Sequence, residues 1–258
     1  MPYPLPYSTN ILEHLDVEGP PATARVYGVE LEMEPRAARR ADQSGLVSAL
    51  NGPSGEWYIL KSDGSLQDGV EIVSLPLSLA EHQRADRWPA LLKPVTARAR
   101  SGAGTTRCGI HVHANRANMS ALTLGKILVF INHPENQRLV ETVAQRSQNS
   151  YCRRQDKKLA DGQRTGADRY QAVNVTRHTV EFRIFRGSIR PERVMKNVEF
   201  VDAVIHYCED SSIVAIGRDT FHNHRNATAG FVAYVTARKH LYPALYQFMI
   251  ESNLISAA

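Results

Sequence analysis

The chain has 258 residues, 43% of them hydrophobic and 22% charged, which is ordinary globular composition with enough apolar material for a sizeable core. No apolar run is long enough to span a bilayer, and the Pro-rich start Pro2-Tyr3-Pro4-Leu5-Pro6 lacks the basic and apolar regions of a signal peptide. The formal net charge of +5 suits anionic partners, and three widely spaced cysteines (Cys108, Cys152, Cys208) point to reduced thiols in a cytoplasmic setting rather than a disulfide framework.

Residues 1–22 read as an irregular surface arm. A strand follows over about 24–34, then a mixed stretch over 35–55 with one short helix. Trp57-Tyr58-Ile59-Leu60-Lys61 reads as a strand closed by the turn Ser62-Asp63-Gly64-Ser65, and Val70-Glu71-Ile72-Val73-Ser74 as the next strand, closed by Pro76. Residues 78–92 have helical character, with Ser78 as N-cap, Glu81 at the capping-box position and Pro89 as a stop or kink. The glycines at 102 and 104 mark a loop before the alternating strand Cys108-Gly109-Ile110-His111-Val112-His113-Ala114.

Two helices are expected at about 119–132 and 134–148. The segment 146–169 is rich in Arg and Lys, lacks apolar periodicity and reads as a mobile basic loop, either a solvated face or a lid over an acidic substrate. A strand pair follows at 170–176 and 179–185. From about 191 the chain is helical: Val194, Val198, Val201, Val204, Ile205 and Cys208 recur at helical spacing, and 228–250 repeats that character, interrupted at Pro243. With no repeat or clear linker, the pattern predicts one α+β domain from 23 to 258, an antiparallel sheet with helices packed on one side.

Glu30 and Glu32 are the most informative pair. Residues i and i+2 of a strand share a face, so two carboxylates project together from an otherwise apolar segment. At about 4 Å and an effective dielectric of about 20 they repel by roughly 4 kcal/mol. Such a pair faces water or holds a cation. Asp63 with Glu71, His111 with His113 and Glu181 with Arg183 repeat this logic. If their strands are neighbours, the polar faces merge into an oxygen-rich patch suited to Mg²⁺ or Mn²⁺, with Arg183 and Arg186 as phosphate clamps. Taken singly, each pattern has a plainer reading: a solvated strand face, a turn, an edge strand, a surface ion pair. Cys152 beside Arg153 reads as a loop thiol, Cys108 and Cys208 as core fillers, and His222 with His224 as a solvated loop. Tyr170 and Asn174 face either substrate or nucleotide, or serve structure alone.

In order, Tyr27-Gly28-Val29-Glu30-Leu31-Glu32, Lys61-Ser62-Asp63-Gly64-Ser65-Leu66, Glu71-Ile72-Val73-Ser74-Leu75-Pro76, Cys108-Gly109-Ile110-His111-Val112-His113 and Thr179-Val180-Glu181-Phe182-Arg183-Ile184-Phe185-Arg186-Gly187 resemble the amidoligase family, the COOH–NH₂ ligases related to glutamine synthetase and glutamate–cysteine ligase. The resemblance implies a curved antiparallel sheet whose concave face holds ATP and divalent ions. It implies an enzyme in which a substrate carboxylate takes the γ-phosphoryl group and an amine captures the acyl phosphate, giving an amide. It further implies Glu30, Glu32, Asp63, Glu71, His111 and Glu181 as metal ligands. Arg183 would sit on the transferring phosphate, with His113 on phosphate or substrate. Arg186 and Asn174 are the further nucleotide-side candidates. Asp63 stands where glutamine synthetase has Glu. The partners are then a small-molecule or peptide carboxylate and an amine. A basic interaction protein, viral or structural, on the same fold, with nucleic acid as partner, and a metal-dependent hydrolase or nuclease are the alternatives.

Overall fold

The computed structural model describes residues 4–21, 23–36, 40–51, 56–102, 105, 107–116, 118–166, 170–212, 216 and 226–255. His222 and His224 lie outside them. The protein is α+β, with antiparallel strand pairs and helices around them. It packs as two units, Met1–His113 with Arg186–Met195 and Ala114–Phe185 with Lys196–Ala258. Among the described residues no helix is long and apolar enough to cross a membrane.

The first unit contains the short helix α1 (Ile11–His14), β1 (Tyr27–Pro35), α2 (Arg40–Leu50), β2 (Tyr58–Lys61), β3 (Val70–Ser74), α3 (Leu79–His82), α4 (Trp88–Leu92) and β4 (Ala99–Arg100), and most of β5 (Gly109–Asn115). The strand order is β2-β3-β1-β5, with β4 pairing the end of β1. Alternation in β1 places Val29, Leu31 and Met33 in the core, fully buried, and turns Glu30, Glu32 and Glu34 to the other face. Antiparallel register sets Glu32 opposite Glu71, and Glu71 opposite Lys61. The arm is tied down: Leu5 N–H donates to Leu60 O (2.8 Å), Ser62 N–H donates to Leu5 O (2.8 Å), and Lys61 Nζ lies 5.1 Å from the Tyr7 ring centroid.

The expected helix over 78–92 is two short helices. Ser78 caps α3 by accepting from Glu81 N–H (3.2 Å), but α3 ends after one turn. Pro89 lies at the first positions of α4, where its missing N–H costs nothing, so it starts a helix and does not kink one. Between the two, His82 is fully buried with both ring nitrogens bonded: Nε2 to Tyr27 O (2.8 Å) and Nδ1 to Trp88 Nε1–H (3.2 Å).

The second unit contains α5 (Ala121–Asn132), α6 (Gln137–Ala144), β6 (Val173–Val175), β7 (Thr179–Arg186), most of α7 (Pro191–Asp210), α8 (Asn226–Ala237) and α9 (Pro243–Glu251). Arg186, the last residue of β7, belongs to the first unit. The apolar residues of α7 at helical spacing are fully buried, as expected from the sequence. Phe130, Phe200, Tyr207 and Phe231 make edge-on and tilted ring contacts with centroids 5.2–5.7 Å apart. Lys126, buried, caps the carboxyl end of α7 by donating to Cys208 O (2.9 Å) and Ser211 O (2.5 Å). The described part of the basic segment is docked, not free. Its 3₁₀ turn Leu159–Gln163 lies against α5, where a Cβ on Gly125 would meet Leu159 O at 2.1 Å and one on Gly162 would meet Ala121 O at 2.2 Å.

Candidate metal centre

In the first unit, Glu32, Asp63 and Glu71 each offer a carboxylate oxygen, and these atoms lie within 4.8 Å of one another. Cross-strand register delivers Glu32 and Glu71. The turn after β2 delivers Asp63, whose Oδ1 accepts from Ser65 N–H (2.7 Å). Glu32 Oε2 is oriented by Gly109 N–H at 2.5 Å. Glu71 is 2% exposed, and its Oε2 has no hydrogen-bond partner among the described residues.

Burial, then the charges of Glu30, Glu32 and Asp63, pushes the Glu71 carboxyl up to about 9, against the opposing pull of Lys61. Burial also pushes Glu32 up, with Asp63 and Glu30 adding to it, although His111 and Gly109 N–H oppose. Without a cation, the cluster resolves its repulsion by keeping a proton on Glu71. A divalent ion among the three carboxylates would displace that proton and supply the missing partner. The donor set is all oxygen, which suits Mg²⁺ or Mn²⁺ better than zinc.

Glu30 and Glu32 share a face but not a cluster. Glu30 is bracketed by His111 Nδ1 on Oε2 (3.1 Å) and His113 Nε2 on Oε1 (3.3 Å). Burial would raise the Glu30 carboxyl, but His113 and His111 outweigh it and hold it well below the ordinary range. The two histidines therefore orient Glu30, and His111 also acts on Glu32 through its charge. Arg186 donates from Nη2 to Gly102 O (2.8 Å) and so spends part of its fork on a loop carbonyl.

In the second unit Arg183 and Asn174 both bond Glu181. Arg183 Nη1 donates to Glu181 Oε1, and Asn174 Nδ2 donates to Glu181 Oε2 (3.0 Å) from the register position opposite it. Asn174 thus supports a carboxylate. Tyr170 stacks edge-on with Tyr151 at 5.9 Å. All three cysteines are buried. Burial pushes the Cys108 thiol up to about 12 and raises Cys208 as well, as befits core fillers.

Four residues that the sequence reading passed over belong here. Glu34 continues the period-two row of Glu30 and Glu32, so its signal was present. Lys61 immediately precedes the Asp63 turn. Arg100 and Arg107 bond Glu34 and carried no local signal. Neither a scan of protein-family models nor a search of curated protein sequences returned a match for the chain.

Proposed function

We propose that the protein is an ATP-dependent, Mg²⁺-dependent carboxylate–amine ligase of the amidoligase type, with Glu32, Asp63 and Glu71 holding a divalent cation. The observation that carries this reading is the buried Glu71 carboxylate, which lacks a hydrogen-bond partner among the described residues and faces two further carboxylates. On this reading the antiparallel strands correspond to the curved catalytic sheet of glutamine synthetase-like ligases. Glu32, Asp63 and Glu71 would hold the cation, which would supply neutralisation of phosphate charge.

The chain's own residues then have distinct tasks. Glu71 gives up its proton as the cation binds. Gly109 N–H keeps Glu32 aimed, and the Ser65 N–H keeps Asp63 aimed. Glu30 holds His111 and His113 in fixed orientation for a substrate or phosphate contact. Glu181 and Arg183 are proposed, from the motif resemblance, as a further ligand and the phosphate-facing arginine. The buried thiols fit a reducing, cytoplasmic setting.

The test is ADP release, measured with candidate carboxylates and amines. The ligase reading expects release only when both are present, with loss in Glu71→Gln and Arg183→Ala. Mg²⁺ affinity should rise with pH between about 6 and 9, because Glu71 must lose its proton. Turnover without ATP would instead favour a metal-dependent hydrolase. Salt-sensitive nucleic-acid binding without ATP binding would favour a basic interaction protein.

A further inference from the structure

Glu34 lies two residues beyond Glu32 on the same face of β1, about 7 Å along the strand. It is fully buried, and both oxygens are bonded. Oε1 accepts from Gln67 N–H (3.0 Å) and Arg107 Nε (3.0 Å), and Oε2 accepts from Arg100 Nη2 (3.2 Å). Arg107 Nη2 also donates to Gln67 Oε1 (2.9 Å). One carboxylate needs one counter-charge, yet two guanidiniums converge on it, leaving one positive charge in excess. Both are rooted on a buried group and open outward: the Arg107 side chain is 48% exposed and that of Arg100 is 30% exposed.

Their contacts leave donors over. Among the described residues, Nη1 of Arg107 and Nη1 of Arg100 make no hydrogen bond, while Nε and Nη2 of Arg107 and Nη2 of Arg100 are fixed on Glu34 and Gln67. More positive charge lines the same ribbon. The Arg36 guanidinium donates from Nε to Ala99 O (3.1 Å) on β4 and from Nη2 to Thr96 O (3.3 Å), and Arg186 is fastened to Gly102. Gln67 N–H and one guanidinium already balance a single buried carboxylate, so a second arginine is not explained by holding Glu34 alone. A guanidinium whose fork is immobilised loses little entropy on meeting a planar or tetrahedral oxyanion.

We propose that Arg100 and Arg107, positioned by Glu34, form an oxyanion subsite beside the carboxylate centre that takes a phosphate or carboxylate group. Its role rests on the ligase reading: the carboxylate substrate then carries a second anionic group, held about two strand residues from the carboxylate that reacts. Glu34 touches no substrate and is a positioning residue.

The subsite is tested without ATP or divalent ions, by thermal shift and calorimetric titration at low ionic strength. The probes are inorganic phosphate and glutarate, with chloride at matched ionic strength as reference. Saturable binding of either probe is expected, weakened at least tenfold in Arg107→Gln and in Arg100→Gln. Arg107→Lys, which keeps the charge and loses the fork, should fall between. A response to phosphate alone assigns a phosphorylated substrate, and a response to glutarate alone assigns a dicarboxylate. No saturable response beyond chloride, or a response unchanged in the Arg100→Gln/Arg107→Gln double variant with native circular dichroism, overturns the subsite. A parallel Mn²⁺ titration of the wild-type protein separates the two ideas. Anion binding without Mn²⁺ binding removes the ligase reading and keeps the subsite; the reverse removes the subsite alone.

Discussion

Glu34 and Glu71 are the same residue type, both almost wholly buried, on adjacent strands of one unit, and they end in opposite states. Glu34 has Gln67 N–H, Arg107 and Arg100 on its oxygens. These overcome the burial penalty and hold its carboxyl below the ordinary range. Glu71 has three acidic neighbours, one cross-strand lysine and an oxygen with no hydrogen-bond partner among the described residues, so it is pushed the other way. Burial alone decides neither case. What decides is whether donors arrive with the carboxylate or must come from a ligand. The satisfied carboxylate is part of the frame; the unsatisfied one is the carboxylate that the proposed cation would complete.

The sharpest way to break this contrast is Glu34→Ala. Removing one partner of a buried charged network should cost about 3–4 kcal/mol, reduced from the upper range because both arginines reach water. Thermal melts should fall by roughly 6–16 °C. An unchanged melting temperature would show that Glu34 is no anchor.

Glu71→Gln should act with the opposite sign. Unfolded Glu71 ionises near 4.5, whereas the folded group holds its proton to about 9, so wild-type stability falls as pH rises through that window. At pH 8 the metal-free variant should therefore gain about 4–5 kcal/mol over wild type while losing any Mg²⁺-induced stabilisation. Equal stability of the two proteins at pH 8 would count against the protonated, strained centre.

His82 supplies a third case, buried and satisfied only when neutral. With Nε2–H on Tyr27 O and Nδ1 accepting from Trp88, a second proton would face an N–H donor. Burial lowers its pKa to about 4 from an ordinary 6.5. The unfolded chain binds that proton first, so stability should drop as pH falls below 6.5. The loss should reach about 2 kcal/mol at pH 5, in urea titrations across pH. His82→Gln should flatten that slope, and a slope that survives the substitution would reassign it.

The smallest effect is expected from Arg183→Gln. Glu181 keeps Asn174 as a donor, so the change should cost about 1 kcal/mol and 2–4 °C. A much larger loss would mean that the Glu181 pair is an anchor like Glu34.

Period-two alternation made β1, β2, β3, β5 and β7 legible, because strand sterics tie side-chain direction to spacing alone. It put Glu30 beside Glu32, and His111 beside His113, on one face. It could not say which group each would join, since that depends on cross-strand register. Glu32 meets Glu71, whereas Glu30 lies opposite Val73 and turns to the histidines. The helix break before Pro89 was hidden because a capping motif reports a start and not a length. The docked segment after α6 was hidden for another reason. Gly125 looks like a weak point in α5, and only the neighbouring backbone of Leu159 reveals it as a contact surface. No linker marks the division into two units because it falls inside β5, β7 and α7, where the sequence stays periodic.

The discontinuity of the first unit has a consequence for how the chain is made. Residues Arg186–Met195 complete it, and Gly187 N–H closes onto Cys108 O (3.3 Å) where a Cβ would strike Ser101 Oγ at 2.3 Å. During synthesis, the residues up to His113 therefore emerge long before their final piece. At about 5–20 residues per second, some 75 residues separate the two events by roughly 4–15 seconds. For that interval an acidic strand set stands incomplete on the ribosome, and a nascent chain stalled before residue 186 should be far more open to protease than one stalled with the 195th residue outside the exit tunnel.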